Sequence, residues 1–219
     1  MRVTLHVWRV PRRRIAAEFL RMATGPARMR RRPGVRFAKF LGTANGFGPG
    51  NADLTRYAAV IVSDGPVRFD PPGDSVRIGL EPVHSRGSWS GRRPFTTVKP
   101  SRPDGMVLAL TRARLRPAKA LTFWRAVPPV VRELDAAPGL LAGFGIGEAP
   151  IGWQGTVSVW RTATHLAGFA YRQPEHRAVI ARTPADRWYA EELFARFAIR
   201  GIAGDRSVLG WREGGQGER

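Results

Sequence analysis

The chain has no cysteine among its 219 residues. That excludes disulfides, thiolate zinc sites, thiolate-bound haem and iron–sulfur clusters. Histidine is scarce too, with only His6, His84, His165 and His176, so chemistry that needs an imidazole has few places to sit. No apolar run approaches the ~18–20 residues of a membrane-spanning helix; "YAAVIV" (57–62) has strand length. The start, "MRVTLHVWRV", lacks the long apolar region and small-residue cleavage site of a signal peptide. A cytoplasmic protein is the expectation.

Nucleotide binding and nucleophilic catalysis are also excluded. "GTANGFGPGN" and "GFGIGEAPIG" are glycine-rich, but neither is a G-x-G-x-x-G opening a helix, and neither carries a phosphate-loop lysine. No serine stands in a nucleophile elbow. Glu191 and Glu192 are adjacent; on the helix expected there they cannot face one another and read as solvent charge.

Acid is in short supply, with 17 Asp and Glu against 36 Lys and Arg and a net charge of +19. Lysine is rare as well. Only Lys39, Lys99 and Lys119 occur, so 33 of the 36 basic residues are arginine. An arginine-rich, lysine-poor chain full of Ala, Gly and Pro points to a GC-rich coding sequence more than to a nucleic-acid surface. The charge is uneven: residues 1–36 hold eleven arginines and one acid, Glu18. The densest piece, "ARMRRRPGVR" (27–36), suits a solvated basic face after a helix, or peripheral contact with an anionic membrane surface. It has no interleaved aromatics of the kind a single-strand nucleic-acid site uses.

What is present is a pattern that occurs twice. "VTLHVWRV" (3–10) alternates like a strand. "PRRRIAAEFLRMA" (11–23) has Pro11 in the first helical turn and an apolar face of Ile15, Phe19 and Met22. "PGVRFAKFLGTANGFG" (33–48) and "RYAAVIVSDG" (56–65) are two further strands closed by turns. The second copy runs "MVLALTRARL" (106–115), a helix over 116–134, "PGLLAGFGIGEAPIG" (138–152) and "QGTVSVWRTA" (154–163). Each copy is strand–helix–strand–strand, the start of a ferredoxin-like unit. After that the copies diverge. The second continues into helical text, "ATHLAGFAYR", "PEHRAVIAR" and "ADRWYAEELFARF", then the strand-like "FAIRGIAG"; residues 70–95 of the first show no helix and read as irregular. The expected architecture is α+β: two tandem ferredoxin-like units, 1–102 and 103–219, the first shortened, forming a dimeric α+β barrel within one chain. A ligand cavity is expected between sheet and helices.

Five segments carry a resemblance: "FAKFLGTANGFG" (37–48), "SWSGRRPF" (88–95), "LTRARLRPAKALTFWRAVP" (110–128), "GIGEAPIGWQGTVSVW" (145–160) and "WYAEELFARF" (188–197). In this order they resemble the spheroidene monooxygenase family. The resemblance implies the same duplicated ferredoxin-like fold and a haem-dependent oxygenase holding haem b. Its partners would be a small or lipophilic organic substrate, molecular oxygen and an electron donor. It also implies that a histidine on the helix before "WYAEELFARF" is the iron ligand, and His176 stands there.

From residues alone His176 remains open. Pro174 suits a helix start, and His176, Val179 and Ile180 share a face. An inward imidazole can hold iron, or it can be a core histidine bonded to a backbone carbonyl. Other groups follow from the haem that the resemblance implies. Lys39 and Gln154, with Thr43 and Asn45, are candidates for the face that meets oxygen and substrate. Trp160 is a candidate for lining the cofactor, along with Phe123 and Trp124. Arg161 and Arg172 are candidates for the propionates, since a guanidinium forks onto a carboxylate. A non-haem iron site from His165, His176 and Glu175 or Glu148 ranks below haem, because no spacing makes the three converge. The alternatives are haem chemistry of another kind, such as dehydration, or a ligand-carrying barrel without catalysis.

Overall fold

A computed structural model describes residues 1–46, 51–98, 105–119, 122, 133–148, 153–172 and 188–212. Eight strands form one antiparallel closed barrel. They are β1 (Arg2–Arg9), β2 (Val35–Ala44), β3 (Ala52–Ser63), β4 (Ser75–Gly87), β5 (Val107–Leu115), β6 (Leu140–Gly147), β7 (Trp153–Trp160) and β8 (Tyr189–Gly204). Around the barrel the order is β4-β1-β3-β2 followed by β6-β7-β5-β8. Each half therefore has the 4-1-3-2 order of a ferredoxin-like sheet. Two seams join the halves. β4 and β8 pair from Val76↔Gly204 to Gly87↔Leu193, whereas β2 and β6 share only Gly42↔Gly147, Thr43↔Ile146 and Ala44↔Gly145.

Period-two alternation decides which side chains enter the barrel. Leu5 and Val7 of β1, Phe37 and Leu41 of β2, Leu108 and Leu110 of β5, Phe144 of β6 and Leu193, Ala195 and Phe197 of β8 fill the interior. The interior is thus a packed core; closing eight strands leaves just enough room for side chains. The 3-10 turn Arg206–Leu209 adds Val208 and Leu209 to it. The alternate residues face outward. On the first half Trp8, Phe40, Tyr57 and Ile61 meet α1 (Ile15–Arg30) through Met22 and Met29. On the second half Val107, Ala109 and Trp160 meet Leu166 and Phe169 of α2 (Ala163–Arg172).

The duplicated α+β barrel expected from the repeat is present, and the first half has no helix between β3 and β4. Three local expectations change. The first helix does not end at Ala23; it runs through Gly25 and Pro26 to Arg30, so part of the basic segment is helical. Residues 75–87, read as irregular, form β4, the strand that closes the barrel. "ADRWYAEELFARF", read as helical, supplies β8 instead. Ala, Glu, Leu and Arg favour helix locally, but β8 lies between β4 and β5, and pairing on both edges outweighs that preference. The expected helix over 116–134 falls mostly outside the described residues.

Candidate active site

The five segments that carry the resemblance meet at one end of the barrel interior. β5 puts Arg112 inside, after Leu108 and Leu110, with its side chain only 2% exposed. Its Nε donates to Glu148 Oε1 at 3.2 Å, and its terminal nitrogens pair with Glu148 and Glu191. Glu148 follows β6 and also accepts from the Trp89 indole N–H and the Lys39 ammonium. Lys39 donates as well to Ser90 Oγ at 2.7 Å. Glu191 accepts from the Ser88 hydroxyl at 2.9 Å and from the backbone N–H groups of Gly91 (2.7 Å) and Ser90 (3.1 Å). Ser90 has φ of +53°, and this turn aims those two amides at one carboxylate. Lys39 and Ser88–Gly91 belong to the first half, and Arg112, Glu148 and Glu191 to the second. The cluster therefore clamps the halves together.

Two cations meet two carboxylates in this cluster. Burial pushes the Glu191 carboxyl up, but the donors from Gly91, Arg112, Ser88 and Ser90 outweigh it and hold the pKa down at about 2. A carboxylate that far below neutrality is poorly matched to general acid–base work near pH 7. The cluster is a brace. Glu191, expected as solvent charge on a helix, is instead a strand residue turned into the barrel.

The outward face of the second half has another character. Across β8, β5 and β7 the register sets out rows: Ala198–Val107–Trp160, Arg196–Ala109–Ser158 and Phe194–Thr111–Thr156. Trp160 is fully buried, donates its indole N–H to Ser158 Oγ at 2.9 Å and stacks on Phe169 at 5.4 Å. Thr111 and Thr156 share a 2.8 Å hydroxyl contact at the more open side. In the middle row the Arg196 Nε is buried and has no hydrogen-bond partner among the described residues. The face combines a buried aromatic stack, a hydroxyl pair and one guanidinium N–H without a partner among the described residues.

The remaining candidates lie as follows. Gln154 stands in β7 opposite Ala113 and Gly147, with its side chain outside the described residues. Arg161 is exposed, and its backbone N–H bonds Gly139 O at 2.8 Å. Arg172 ends α2, its side chain again outside the described residues. His176, Phe123 and Trp124 lie outside them entirely. Lys39 is inside the barrel and Trp160 is on the outward face, so those two do not converge. Thr43 is buried in a structural pair, accepting from Arg56 Nε at 2.9 Å. Thr162 caps α2, its Oγ1 accepting from the His165 backbone N–H at 3.3 Å; His165 Nδ1 meets the same Oγ1 at 2.8 Å, and its ring fills the space above Gly139, where a Cβ would lie 2.3 Å away. Among the described residues no three His, Asp or Glu gather as a metal site.

The first half has its own cleft of about 390 Å³, lined by His6, Val67, Phe69, Ser75, Arg77 and Gly204 where the second helix of that unit is missing. His6 lies edge-on to Phe69 at 5.0 Å, and burial, with Arg77 adding, pulls its pKa down to about 4.

Fold and site together define a single-chain tandem ferredoxin-like barrel whose second outward face is organised around buried aromatics. A crystal structure of aldoxime dehydratase shares this fold, with a TM-score of 0.58 at 10% identity over 90% of this chain and 80% of that one. No family model matches the sequence. Spheroidene monooxygenase of Rubrivivax gelatinosus is 31% identical over 188 residues, 78% of this chain and 72% of that protein. That of Rhodobacter capsulatus is 36% identical over 134 residues, 60% of this chain. The chain belongs to the spheroidene monooxygenase family. It spans about half the length of two of these relatives, 55% of the Rhodobacter capsulatus protein and 41% of the Cereibacter sphaeroides one.

Proposed function

We propose that the chain is a haem-dependent monooxygenase acting on a small or lipophilic organic substrate, with His176 as the iron ligand. Membership of the spheroidene monooxygenase family carries the reading. The described residues fit haem in two respects. The Trp160–Phe169 stack makes this side of the barrel apolar, and the Arg196 Nε, which has no partner among the described residues, suits a propionate carboxylate. Arg161 and Arg172 flank α2 and are the further candidates for the propionates. Among the described histidines, His165 contacts Thr162, which caps α2, and His6 and His84 lie on the first half. His176, before "WYAEELFARF", is the ligand that the family resemblance implies.

Bound haem would supply oxygen activation: one oxygen atom enters the substrate, and the other leaves as water with two electrons from a donor. The chain's own part is to keep this side dry with the buried Trp160–Phe169 stack and to orient substrate along the Thr111–Thr156 pair, with Gln154 on the same strand as Thr156. Lys39 contributes through the brace. The test is the absorption spectrum of protein from haem-supplemented cells, taken with and without His176→Ala. A Soret band that is lost or shifted in the variant supports the reading; absence of the band, or an unchanged one, overturns it. The same barrel hosts a dehydratase, so turnover under argon and under air separates oxygenation from dehydration.

A further inference from the structure

The outward side of α1 is unusual for a surface helix. Its inner face is anchored: Glu18, Gly25 and Met29 are buried, Glu18 accepts from the Trp8 indole at 3.1 Å, and Met29 packs with Phe40 and Ile61. A helix with one packed face ordinarily carries charge on the other. Here the exposed positions through its middle are Ala16, Ala17, Phe19, Leu20, Ala23 and Ala27. Leu20 is 62% exposed and Phe19 45%, the largest apolar exposures along the helix. The only charged side chains between Ile15 and Ala27 are buried Glu18 and Arg21, which pair with each other at 3.2 Å.

Charge is concentrated at the two ends. Arg12, Arg13 and Arg14 precede the helix, and Arg28, Arg30 and Arg31 close it; all are exposed. None of the six has a carboxylate partner among the described residues. An apolar strip bounded by free arginines demands a partner that is anionic and also accepts hydrocarbon. A second copy in isologous contact would set arginine clusters against each other. A nucleic acid would use the arginines and leave Leu20 and Phe19 in water. An anionic bilayer uses both, taking the apolar side chains at the headgroup–acyl boundary and the guanidiniums on lipid phosphates.

We propose that the outward face of α1 docks this protein onto an anionic lipid surface, with Phe19 and Leu20 inserted and the arginines at both helix ends on the headgroups. Among the described residues no helix is long and apolar enough to cross a membrane, so the contact lies along the surface. It goes beyond the oxygenase reading and does not depend on it.

The test is co-sedimentation of the full chain with vesicles of phosphatidylcholine alone, and of phosphatidylcholine mixed with phosphatidylglycerol. Binding to the mixed vesicles only is expected, falling at least about tenfold as ionic strength rises from about 0.05 to about 0.5 M. Phe19→Ser with Leu20→Ser should weaken it at least about tenfold, and Arg28→Glu with Arg30→Glu and Arg31→Glu by about a hundredfold or more. These exposed positions should leave the melting temperature nearly unchanged, which shows that the variants are folded. No binding to mixed vesicles, equal binding to neutral ones, or indifference to the Phe19 and Leu20 changes overturns the proposal. So does a dimer in light scattering that Leu20→Glu abolishes, which would assign the face to a second copy. Binding of duplex DNA without binding to vesicles would assign it to nucleic acid. None of these readouts needs turnover, so failure here leaves the oxygenase reading standing.

Discussion

Arg112 on β5 and Glu191 on β8 form an ion pair inside the barrel end, and the same arginine also holds Glu148 beyond β6. The guanidinium thus reaches one carboxylate from the neighbouring strand and one from two strands away, while Trp89 and Lys39 tie Glu148 to the first half. A charge buried this deeply is tolerable only while its partners remain.

Arg112→Ala should therefore be among the more damaging single changes. It leaves two carboxylates facing each other in a half-dry site. Loss of one member of a buried pair costs about 3–5 kcal/mol, equivalent to roughly 6–20 °C in melting temperature for a chain of this size. Arg112→Lys keeps the charge but loses the fork onto two carboxylates, and should recover only part of the loss. Equilibrium urea unfolding of both variants checks the order.

Gly155→Ala should be costly for a steric reason alone. A Cβ there would lie 2.1 Å from the Thr111 carbonyl oxygen of the paired strand. Backbone atoms in the middle of a ladder cannot give way as a side-chain tip can, so β5 and β7 must part. A loss of about 2 kcal/mol or more in urea unfolding is expected.

His6 predicts an acid limb in stability. Its folded pKa is about 4, held down by burial and by Arg77, against an ordinary 6.5. The unfolded chain takes up this proton first as pH falls. The contribution is therefore present above about pH 6.5 and is lost progressively down to about pH 4, by roughly 3 kcal/mol at most. His6→Phe should flatten the stability profile across that window. Glu191 acts lower: its stabilisation is present above the ordinary carboxylate range and is lost as pH falls toward about 2. Glu191→Gln should soften the limb below pH 4.5 while lowering stability at pH 7.

Arg196→Met separates a cofactor role from a structural one. The buried Nε donates to nothing among the described residues, so its removal should not lower the stability of the haem-free protein. Under the oxygenase reading it should also accelerate haem loss to an apomyoglobin acceptor. A stability loss of several kcal/mol, with haem transfer unchanged, would assign Arg196 to the scaffold.

Much of the architecture was legible before any coordinates. The repeated strand–helix–strand–strand pattern located β1, β2, β3, β5, β6 and β7 and α1, because their alternation and apolar faces are local properties. The strand expected at "FAIRGIAG" is the second half of β8, whereas β4 and the first half of β8 were not legible. β4 does alternate, with Val76, Ile78 and Leu80 between Arg77, Gly79 and Glu81, but Gly79, Pro82 and the turn residues around it obscure the strand, and the first half of β8 is written in helix-forming residues. Both become strands by pairing with each other, an event between residues more than a hundred positions apart. The brace was hidden for the same reason. In the sequence Lys39 is a candidate for the face that meets oxygen and substrate, Glu148 is a lesser iron-ligand candidate, Arg112 carries no expectation, and Glu191 reads as one of two solvent acids on a helix. A glutamate with Leu193, Ala195 and Phe197 at even spacing behind it was the one signal that could have exposed the strand.

By itself, then, the sequence determined the duplication, the lack of cysteine and the resemblance to the family, from which the expectation for His176 comes. The tertiary structure decided that the barrel closes through β4 and β8, that the family segments converge on a buried ion cluster, and that α1 presents an uncharged strip between arginines. Periodicity and composition are written in neighbouring residues, so a sequence displays them. Which charges face one another depends on strand register across the barrel, and that is settled only when the two halves close.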